Sequence, residues 1–350
     1  MPDVVAQAAA RSDAGRVREA NEDRVLLLDD AGEHASLYAI ADGLGGHAGG
    51  DVASLLAVET VKFEVRARLQ RGALPRDALV DAFCRANTVI RDGGRDPGLA
   101  GMATTCTAVL LHQGVAFLAH VGDSRAYLVR DGTTTQLTHD HTLAEELARR
   151  GAVAPGEVEG HAQRHVLTRA LGVAEAIEVD SADEALRSGD TLVLTTDGLH
   201  NAVPAEELGL VVRAAPDLDH ACRTLVGLAN ARGGMDNATV VVIRIASPWP
   251  RRLLRIAAPL VVAAFVAGGV GAYRLEHAYF LGVVGDRVAV MRGVPARPLG
   301  VPLSGVLKVT GIAVTQIAPD HRRRLFRGIP AASPEAAEDL LPALLARPAP

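Results

Sequence analysis

The chain has 350 residues, of which 49% are hydrophobic and only 3% aromatic, so it is long enough for two domains and a large core of Ala, Val and Leu. Its net charge of −5 is unevenly distributed, because the first 250 residues carry −12 and the rest carry +7. The acidic first part argues against nucleic-acid binding, which needs a basic face.

The first predicted element is a short N-terminal tail over residues 1–10. It lacks a basic segment followed by an apolar one, so we expect no signal peptide. Cys84, Cys106 and Cys222 lie in apolar stretches without CxxC spacing, which indicates core thiols in a reducing compartment rather than disulfides or a zinc site. Both observations favour a cytoplasmic location for the first 250 residues.

Residues 11–247 predict one α+β domain. Short apolar or β-branched runs bounded by Gly and Asp are typical of strands, and they are grouped between longer stretches with helical periodicity. Such grouping favours an α+β sandwich over a parallel doubly wound sheet. The predicted strands are 22–30, 36–42, 104–112, 114–123, 125–132, 190–198 and 237–245, and the predicted helices are 49–69, 74–93 and a pair within 204–231.

A membrane-spanning helix is predicted over residues 253–273, after a linker at 248–252. Residues 256–273 carry no charge, and with the preceding leucines they approach the roughly 20 residues that cross a bilayer. Arginines flank both ends as interfacial anchors do, although a buried core helix is the alternative. Four arginines before the span and three after it give only a weak positive-inside bias.

Residues 274–350 are predicted to form a small extracytoplasmic domain whose ligand is unknown. Strand-like runs occupy 286–294 and 305–312, and Ser333 is placed to cap a helix. The expected protein therefore crosses the cell membrane once and keeps its first domain in the cytoplasm.

Acidic residues recur at the ends of the predicted strands. A single Asp-Gly or Asp-Asn is most simply a turn, but five segments that each place a carboxylate at one end of a strand make independent turns less persuasive. Converging carboxylates repel one another unless a cation offsets their charge, and oxygen ligands without a His/Cys set select Mg²⁺ or Mn²⁺. A pair of such ions can activate water for phosphate-ester hydrolysis. The acids are Glu22, Asp23, Asp42, Asp123, Asp197 and Asp236.

Eight motifs in order resemble those of the metal-dependent protein serine/threonine phosphatases of type 2C. They are SDAGRVREANEDR, AIADGLGGHAGG, ATTCTAVL, AHVGDSRAYLVRDG, LTHDHTLAEEL, HVLTRALG, LVLTTDGL and MDNATVVVI. The resemblance covers residues 11–246 and implies a four-layer α-β-β-α sandwich of two antiparallel sheets around a metal cleft. The whole layout more loosely resembles membrane phosphatases that accompany serine/threonine kinases in actinobacteria.

The resemblance also implies roles for single residues. Arg18 would grip the phosphate, while Asp42 and Asp197 would act in catalysis through the metals. Two Mn²⁺ or Mg²⁺ ions are implied, and a third ion is left open. Asp42 would bridge the two ions, Glu22 would hold one of them through water, and Asp123 would share the third with Asp197. The implied metal ligands are Glu22, Asp42, the Gly43 carbonyl, Asp123, Asp197 and Asp236.

Several assignments stay open at this point. No histidine is matched to the general acid of the family, and His47 in the glycine loop is not given that role. Asn237 is expected to orient Asp236, and Asp23 either supports a ligand or caps a strand. Residues 139–168 resemble the mobile flap of bacterial members and are expected to influence substrate choice.

The implied partners are phosphoproteins, including serine/threonine kinases, together with the membrane and without nucleic acid. Two alternatives remain. One is a related phosphatase that acts on anti-sigma-factor antagonists, and the other is a non-catalytic membrane sensor that binds phosphoproteins.

Overall fold

Two units make up the computed structural model, which describes residues 5–32, 34–44, 49–158, 160–246 and 249–345. The first unit ends at Trp249 and the second begins at Pro250. All of the residues assigned above to the metal site lie in the first unit.

Eleven strands and six helices form the first unit within the residues that the structure describes. The strands are β1 Val5–Asp13, β2 Asp23–Gly32, β3 Ala35–Leu44, β4 Ala103–Thr104, β5 Cys106–His112, β6 Val115–Val121, β7 Arg125–Arg130, β8 Thr133–Gln136, β9 Asp180–Ala185, β10 Thr191–Thr195 and β11 Ala238–Ala246. The helices are α1 Gly49–Leu69, α2 Pro75–Gly93, α3 Leu143–Arg149, α4 Asp197–His200, α5 Ala205–Ala214 and α6 Leu218–Ala231.

Two antiparallel sheets lie at the centre of this unit. One has the strand order β1-β11-β10-β7-β8, and the other has the order β2-β3-β5-β6-β9, with β4 paired to β3. The pairings in both sheets are antiparallel. The predicted α+β fold with antiparallel sheets is therefore confirmed.

The faces that the sheets turn toward each other form one buried cluster. Tyr38 and Ile40 of β3 belong to it together with Leu192 and Leu194 of β10. All four side chains are fully buried. Because side chains on a strand point alternately to opposite faces, the residues that alternate with these on β3 and β10 pack on the other face of each sheet.

Helices pack against strands of each sheet. Leu37 of β3 belongs to a second buried cluster with Val61 of α1 and Phe83 of α2. Val193 of β10 belongs to a third with Leu225 of α6. Strands that are buried on both faces have continuous apolar sequences, which is why β3, β10 and β11 were predictable.

Three strands of the first unit, β1, β8 and β9, were not among the predicted strands, and β1 and β9 show the reason. The predicted tail over residues 1–10 is wrong from Val5 onward, because β1 pairs with β11 from Val5 opposite Ala246 to Asp13 opposite Ala238. β9 has the mostly polar sequence DSADEA but pairs with β6 along its whole length. Pairing with a neighbouring strand, rather than local propensity, forms both of them.

The second unit begins with a long helix and continues as a small sheet covered by short helices. The sheet has the order β14-β13-β12-β15. Ser333 Oγ accepts a hydrogen bond from Ala336 N at 3.1 Å, as expected for a helix N-cap. The elements are α7 Trp249–His277, β12 Tyr279–Val284, β13 Arg287–Gly293, β14 Ser304–Ala313, α8 Pro319–Arg327, β15 Ile329–Ala331, α9 Pro334–Asp339 and α10 Leu341–Leu344.

One helix among the described residues is long and apolar enough to cross a membrane. The qualifying stretch is Pro259–His277, with a mean hydropathy of 1.2 and no buried residues. It overlaps most of the predicted span at 253–273. Exposed side chains such as Phe265, 77% accessible, are unusual in water but are expected against lipid.

A fragment that ends at residue 247 is expected to fold on its own, because the three clusters of the first unit use only its own residues. Leu192→Ala should lower its free energy of unfolding by about 2–5 kcal/mol, since the site between the sheets leaves a cavity. Leu210→Ala, at a side chain that is 57% exposed, should change it by less than about 0.5 kcal/mol. Urea unfolding followed by circular dichroism measures both, and a non-cooperative transition in the unsubstituted fragment would contradict the expectation.

Candidate metal centre

All seven residues predicted for the site line one cleft of about 940 Å³. They come from five segments: the β1–β2 loop, the end of β3, the β6–β7 turn, the start of α4 and the turn before β11. The seven are Arg18, Glu22, Asp42, Gly43, Asp123, Asp197 and Asp236.

The backbone of Asp42 is fixed by threonines on the neighbouring strands. Asp42 N donates to Thr105 Oγ1 at 3.0 Å, and Asp42 O accepts from Thr105 N at 2.9 Å and from Thr104 Oγ1 at 2.8 Å. The Asp42 and Asp197 carboxyl groups line the same cleft and are close enough to influence each other's ionisation. Two acidic groups are thus held side by side by a rigid sheet end.

Burial and the charges of neighbouring acids raise the pKa values of Asp42, Asp123 and Asp197 in the cleft. Burial is the main cause for Asp42, whose pKa is raised well above its usual range, followed by the charges of Asp23, Asp197, Asp123 and Asp236. Burial and then the charge of Asp197 raise the pKa of Asp123 to about 7. A bound cation would relieve this repulsion.

The donor set fits hard cations. Carboxylate and carbonyl oxygens are the ligands that Mg²⁺ and Mn²⁺ prefer. Across the described parts of the chain, no three His, Cys, Asp or Glu side chains close around one point as a complete protein ligand set would. Carboxylates that are spread along a cleft leave ligand positions to water, which is usual for Mg²⁺.

Asp23 lies beneath the cleft rather than capping a strand. It pairs with Asp42 in the β2–β3 register, and its Oδ2 accepts from Thr196 Oγ1 at 2.8 Å and from Thr239 Oγ1 at 2.5 Å. Its Oδ1 is buried without a hydrogen-bond partner within the described residues. Burial raises the pKa of Asp23 to about 7, partly offset by the two threonine hydroxyls.

Close backbone packing accounts for the glycines on either side of the loop after Asp42. A Cβ atom on Gly43 would lie 2.2 Å from Gly50 O, and one on Gly50 would lie 2.5 Å from Glu22 Oε2. Gly43 N also donates to Glu22 O at 3.2 Å. A side chain at Gly50 would therefore collide with the Glu22 carboxylate, and one at Gly43 with the Gly50 backbone. His47 lies outside the described residues.

Asn237 acts differently from the prediction. Its side chain does not orient Asp236; instead its Oδ1 accepts from Glu22 N at 2.8 Å and its Nδ2 donates to Ala14 O at 3.0 Å and Ala20 O at 2.9 Å. The side chain therefore holds the loop that carries Glu22, whereas Asp236 Oδ1 accepts from the backbone N of Asn237 at 2.9 Å.

Arg18 is positioned at the cleft by an ion pair. Its Nη2 donates to Asp236 Oδ2 at 2.7 Å, and its side chain is 55% exposed. The remaining guanidinium donors are available to an anion that enters the cleft.

The predicted flap over 139–168 begins with α3 and returns to the cleft. Arg164, His165 and Leu167 line it. His165 is the one histidine among the described residues that line the cleft, and the sequence reasoning did not single it out. His165 is the first residue of the motif HVLTRALG, but it does not lie at the end of a predicted strand, which is where the candidate acids were found.

The chain is similar to known phosphatases over its first unit. Residues 15–232 match the family described as Protein phosphatase 2C. The serine/threonine phosphatase stp of Listeria welshimeri is 34% identical over 239 residues, which are 67% of this chain and 93% of that protein.

Two crystal structures of bacterial serine/threonine phosphatases are also similar to the first unit of this chain. The Mycobacterium tuberculosis serine/threonine phosphatase PstP/Ppp matches with a TM-score of 0.63 and 38% identity over 69% of this chain and 99% of its own. The catalytic domain of PstP in complex with two manganese ions matches with a TM-score of 0.60 and 36% identity over 70% of this chain and 100% of its own.

The raised pKa of Asp23 predicts a pH-dependent stability. A carboxyl whose pKa is raised in the folded state stabilises the fold fully below its unfolded pKa, near 4, and this contribution is lost as pH rises through about 7. In EDTA, the free energy of unfolding of Asp23→Asn, measured relative to that of the unsubstituted protein, should therefore rise by about 2 kcal/mol between pH 5 and pH 8. Thermal unfolding at both pH values measures the difference.

This comparison cancels an opposite effect of the buried histidines. Burial lowers the pKa values of His120, His141 and His200, so each adds stability as pH rises toward 6.5. Both proteins share that effect. An unchanged difference between pH 5 and pH 8 would show that Asp23 is ionised throughout.

Gly43→Ala should lower the free energy of unfolding by about 1–3 kcal/mol and weaken Mn²⁺ binding, because the new methyl group meets the Gly50 carbonyl. Gly227→Ala is the matched control, since its Cβ meets nothing within 4 Å and it lies in α6, where Ala is favoured. Calorimetric Mn²⁺ titration and thermal unfolding test both variants, and equal behaviour would refute the packing argument.

Proposed function

The chain belongs to the protein phosphatase 2C family and is a metal-dependent serine/threonine protein phosphatase, and we propose that it uses two Mn²⁺ or Mg²⁺ ions in this cleft to hydrolyse phosphoserine and phosphothreonine. The observation that carries the proposal is the convergence of acidic residues from five segments on one cleft.

The proposed ligands are those that the family resemblance implies, and all of them line the cleft. Asp42 would lie between the two ions with the Gly43 carbonyl beside it, while Asp197 and Asp236 would complete one ion. Glu22 would hold the other through water, and Asp123 with Asp197 would form a third position. Bound ions would supply an activated water as the nucleophile and would offset charge on the phosphate.

The protein's own residues bind and orient the phosphate. Arg18 has a planar fork that can hold two phosphate oxygens, which Lys would hold less well. Its contact with Asp236 keeps that fork at the cleft before substrate arrives. Asn237 fixes the loop between Ala14 and Glu22, so both Arg18 and Glu22 depend on it. The general acid stays unassigned.

The proposal extends to the arrangement of the whole chain. The catalytic domain, which begins with β1 at Val5 and extends to residue 247, would form a four-layer α-β-β-α sandwich in the cytoplasm; its three buried clusters support that layering. A linker at 248–252 would lead to a single membrane span at 253–273, supported by the exposed apolar helix. Residues 274–350 would lie outside the cell.

The substrates proposed are phosphoproteins near the membrane, including serine/threonine kinases. Tethering would raise the local concentration of the phosphatase around membrane-bound kinases. An anti-sigma-factor antagonist is the alternative substrate, and phosphopeptide profiling separates the two. The complete set of acids in the cleft favours an enzyme over a non-catalytic sensor.

Purified full-length protein in detergent should hydrolyse phosphothreonine peptides only with Mn²⁺ or Mg²⁺. Asp42→Asn and Asp197→Asn should each reduce kcat/KM to about one hundredth or less, because even groups that merely support a metal ligand are worth 10–100-fold. Arg18→Lys should raise KM more than it lowers kcat, since it removes bidentate contact with the phosphate. Full activity after chelation, or in Asp42→Asn, would rule out the two-metal proposal.

A further inference from the structure

A buried histidine outside the cleft is bonded to the turn that carries Asp123. His141 is 3% exposed. Its backbone N donates to Gly122 O at 2.7 Å, and its side-chain Nδ1 lies 3.1 Å from Gly122 N, which donates to it. The backbone N–H and C=O groups of Gly122, the residue before Asp123, are therefore both hydrogen-bonded to His141.

These contacts fix which nitrogen of His141 carries the proton. Because Nδ1 accepts from Gly122 N, the hydrogen of the neutral ring is on Nε2. Nε2 lies 3.2 Å from Asp180 Oδ2, and Asp180 Oδ1 in turn accepts from Arg169 Nη1 at 2.6 Å. Burial, and then Arg169, lower the pKa of His141, which favours this neutral form.

The Gly122 peptide is also closely packed on the side away from His141. Gly122 has φ of +113°, and a Cβ there would lie 2.5 Å from Thr105 Cβ. Thr105 Oγ1 is 2.8 Å from Ser124 Oγ and also accepts from Asp42 N. The turn is therefore clamped between Thr105 on one side and His141 on the other.

His141 also holds the returning end of the flap. Its carbonyl oxygen accepts from Thr168 N at 2.8 Å, and Leu143 N donates to Val166 O at 2.8 Å. Thr142 and Leu167 form an isolated bridge between these hydrogen bonds. Arg164 and His165, which line the cleft, directly precede this paired segment.

We propose that His141 is a positioning residue for the phosphatase reaction. Through Gly122 it sets the Asp123 carboxyl in the cleft, and through Thr168 it sets the flap beside the cleft. Its side chain acts through one hydrogen bond, in which Nδ1 accepts from Gly122 N and fixes the Asp123 turn, while Nε2 lies near Asp180 without a hydrogen bond among the described residues. The inference rests on the proposed function, because Asp123 is taken there as a ligand of the third ion.

The test separates the two nitrogens of His141 with three substitutions. Asn places a polar atom where Nδ1 lies, Gln places one where Nε2 lies, and Leu provides neither. We expect His141→Leu and His141→Gln to raise the Mn²⁺ concentration for half-maximal activity by about tenfold, as losses next to metal ligands do. His141→Asn should stay near the unsubstituted value.

A buried neighbour provides the matched control. The His120 ring lies 4.7 Å from the His141 ring, but its Nε2 is bonded to His139 O and its Nδ1 to Thr107 Oγ1, so it has no bond to Gly122. His120→Leu should lower the melting temperature without changing the Mn²⁺ requirement. A general packing defect would instead move both variants together.

The readouts are the Mn²⁺ half-activation concentration and KM for a phosphothreonine peptide, with p-nitrophenyl phosphate as a second substrate. For His141→Leu, KM should change equally for the peptide and the small ester, because the hydrogen bond to the flap is made by the backbone carbonyl of His141, which the substitution keeps. The inference is overturned if His141→Asn behaves like His141→Leu, or if His120→Leu shifts the Mn²⁺ requirement equally. If His141→Leu does not fold, the Asn and Gln variants decide.

These outcomes are distinct from failure of the proposed function. An unsubstituted protein that is inactive with Mn²⁺ would reject the phosphatase proposal itself. An active protein whose Mn²⁺ requirement is indifferent to all three His141 substitutions would reject only the positioning role.

Discussion

Repulsion between buried carboxylates is the constraint on which the rest of the structure depends. Burial raises the pKa values of Asp42, Asp123 and Asp197, and the charge of Asp197 raises those of Asp42 and Asp123 further. Groups that repel one another can be held together only by a scaffold that is stabilised elsewhere. The two sheets provide it, because fully buried residues such as Leu192 pack between them. The cleft is therefore strained electrostatically and supported by apolar packing, which is common at sites that bind cations.

The sequence predicted strands correctly where an apolar run corresponds to a strand that is buried in the fold. β3 and β10 are buried on both faces and have apolar runs with sharp ends, so their limits could be predicted within a few residues. The acids at those ends, Asp42 and Asp197, line the same cleft. Their position follows from chain direction, since a strand end at the rim of a sheet delivers the next side chain to that rim. The family resemblance indicated which distant segments meet at the cleft, and no local sequence pattern shows this.

What could not be predicted depends on contacts between distant residues. β9 is polar and becomes a strand only through β6. Asn237 follows Asp236 directly, so sequence suggests that it orients its neighbour, yet its side chain bonds residues more than two hundred positions earlier. His141 stands out in no periodic pattern, and its two bonds to Gly122 span nineteen residues. Side-chain hydrogen bonds of this kind leave no signal in a single sequence.

The most direct test of the central claim is a crystal structure of the first unit soaked in Mn²⁺, with the ions located by anomalous scattering. Two ions about 3.5–4 Å apart with the Asp42 carboxylate between them, and Asp197 and Asp236 on one of them, are the predicted result. Ions bound elsewhere, or a cleft in which Asp42 contacts no ion at saturating Mn²⁺, would contradict it.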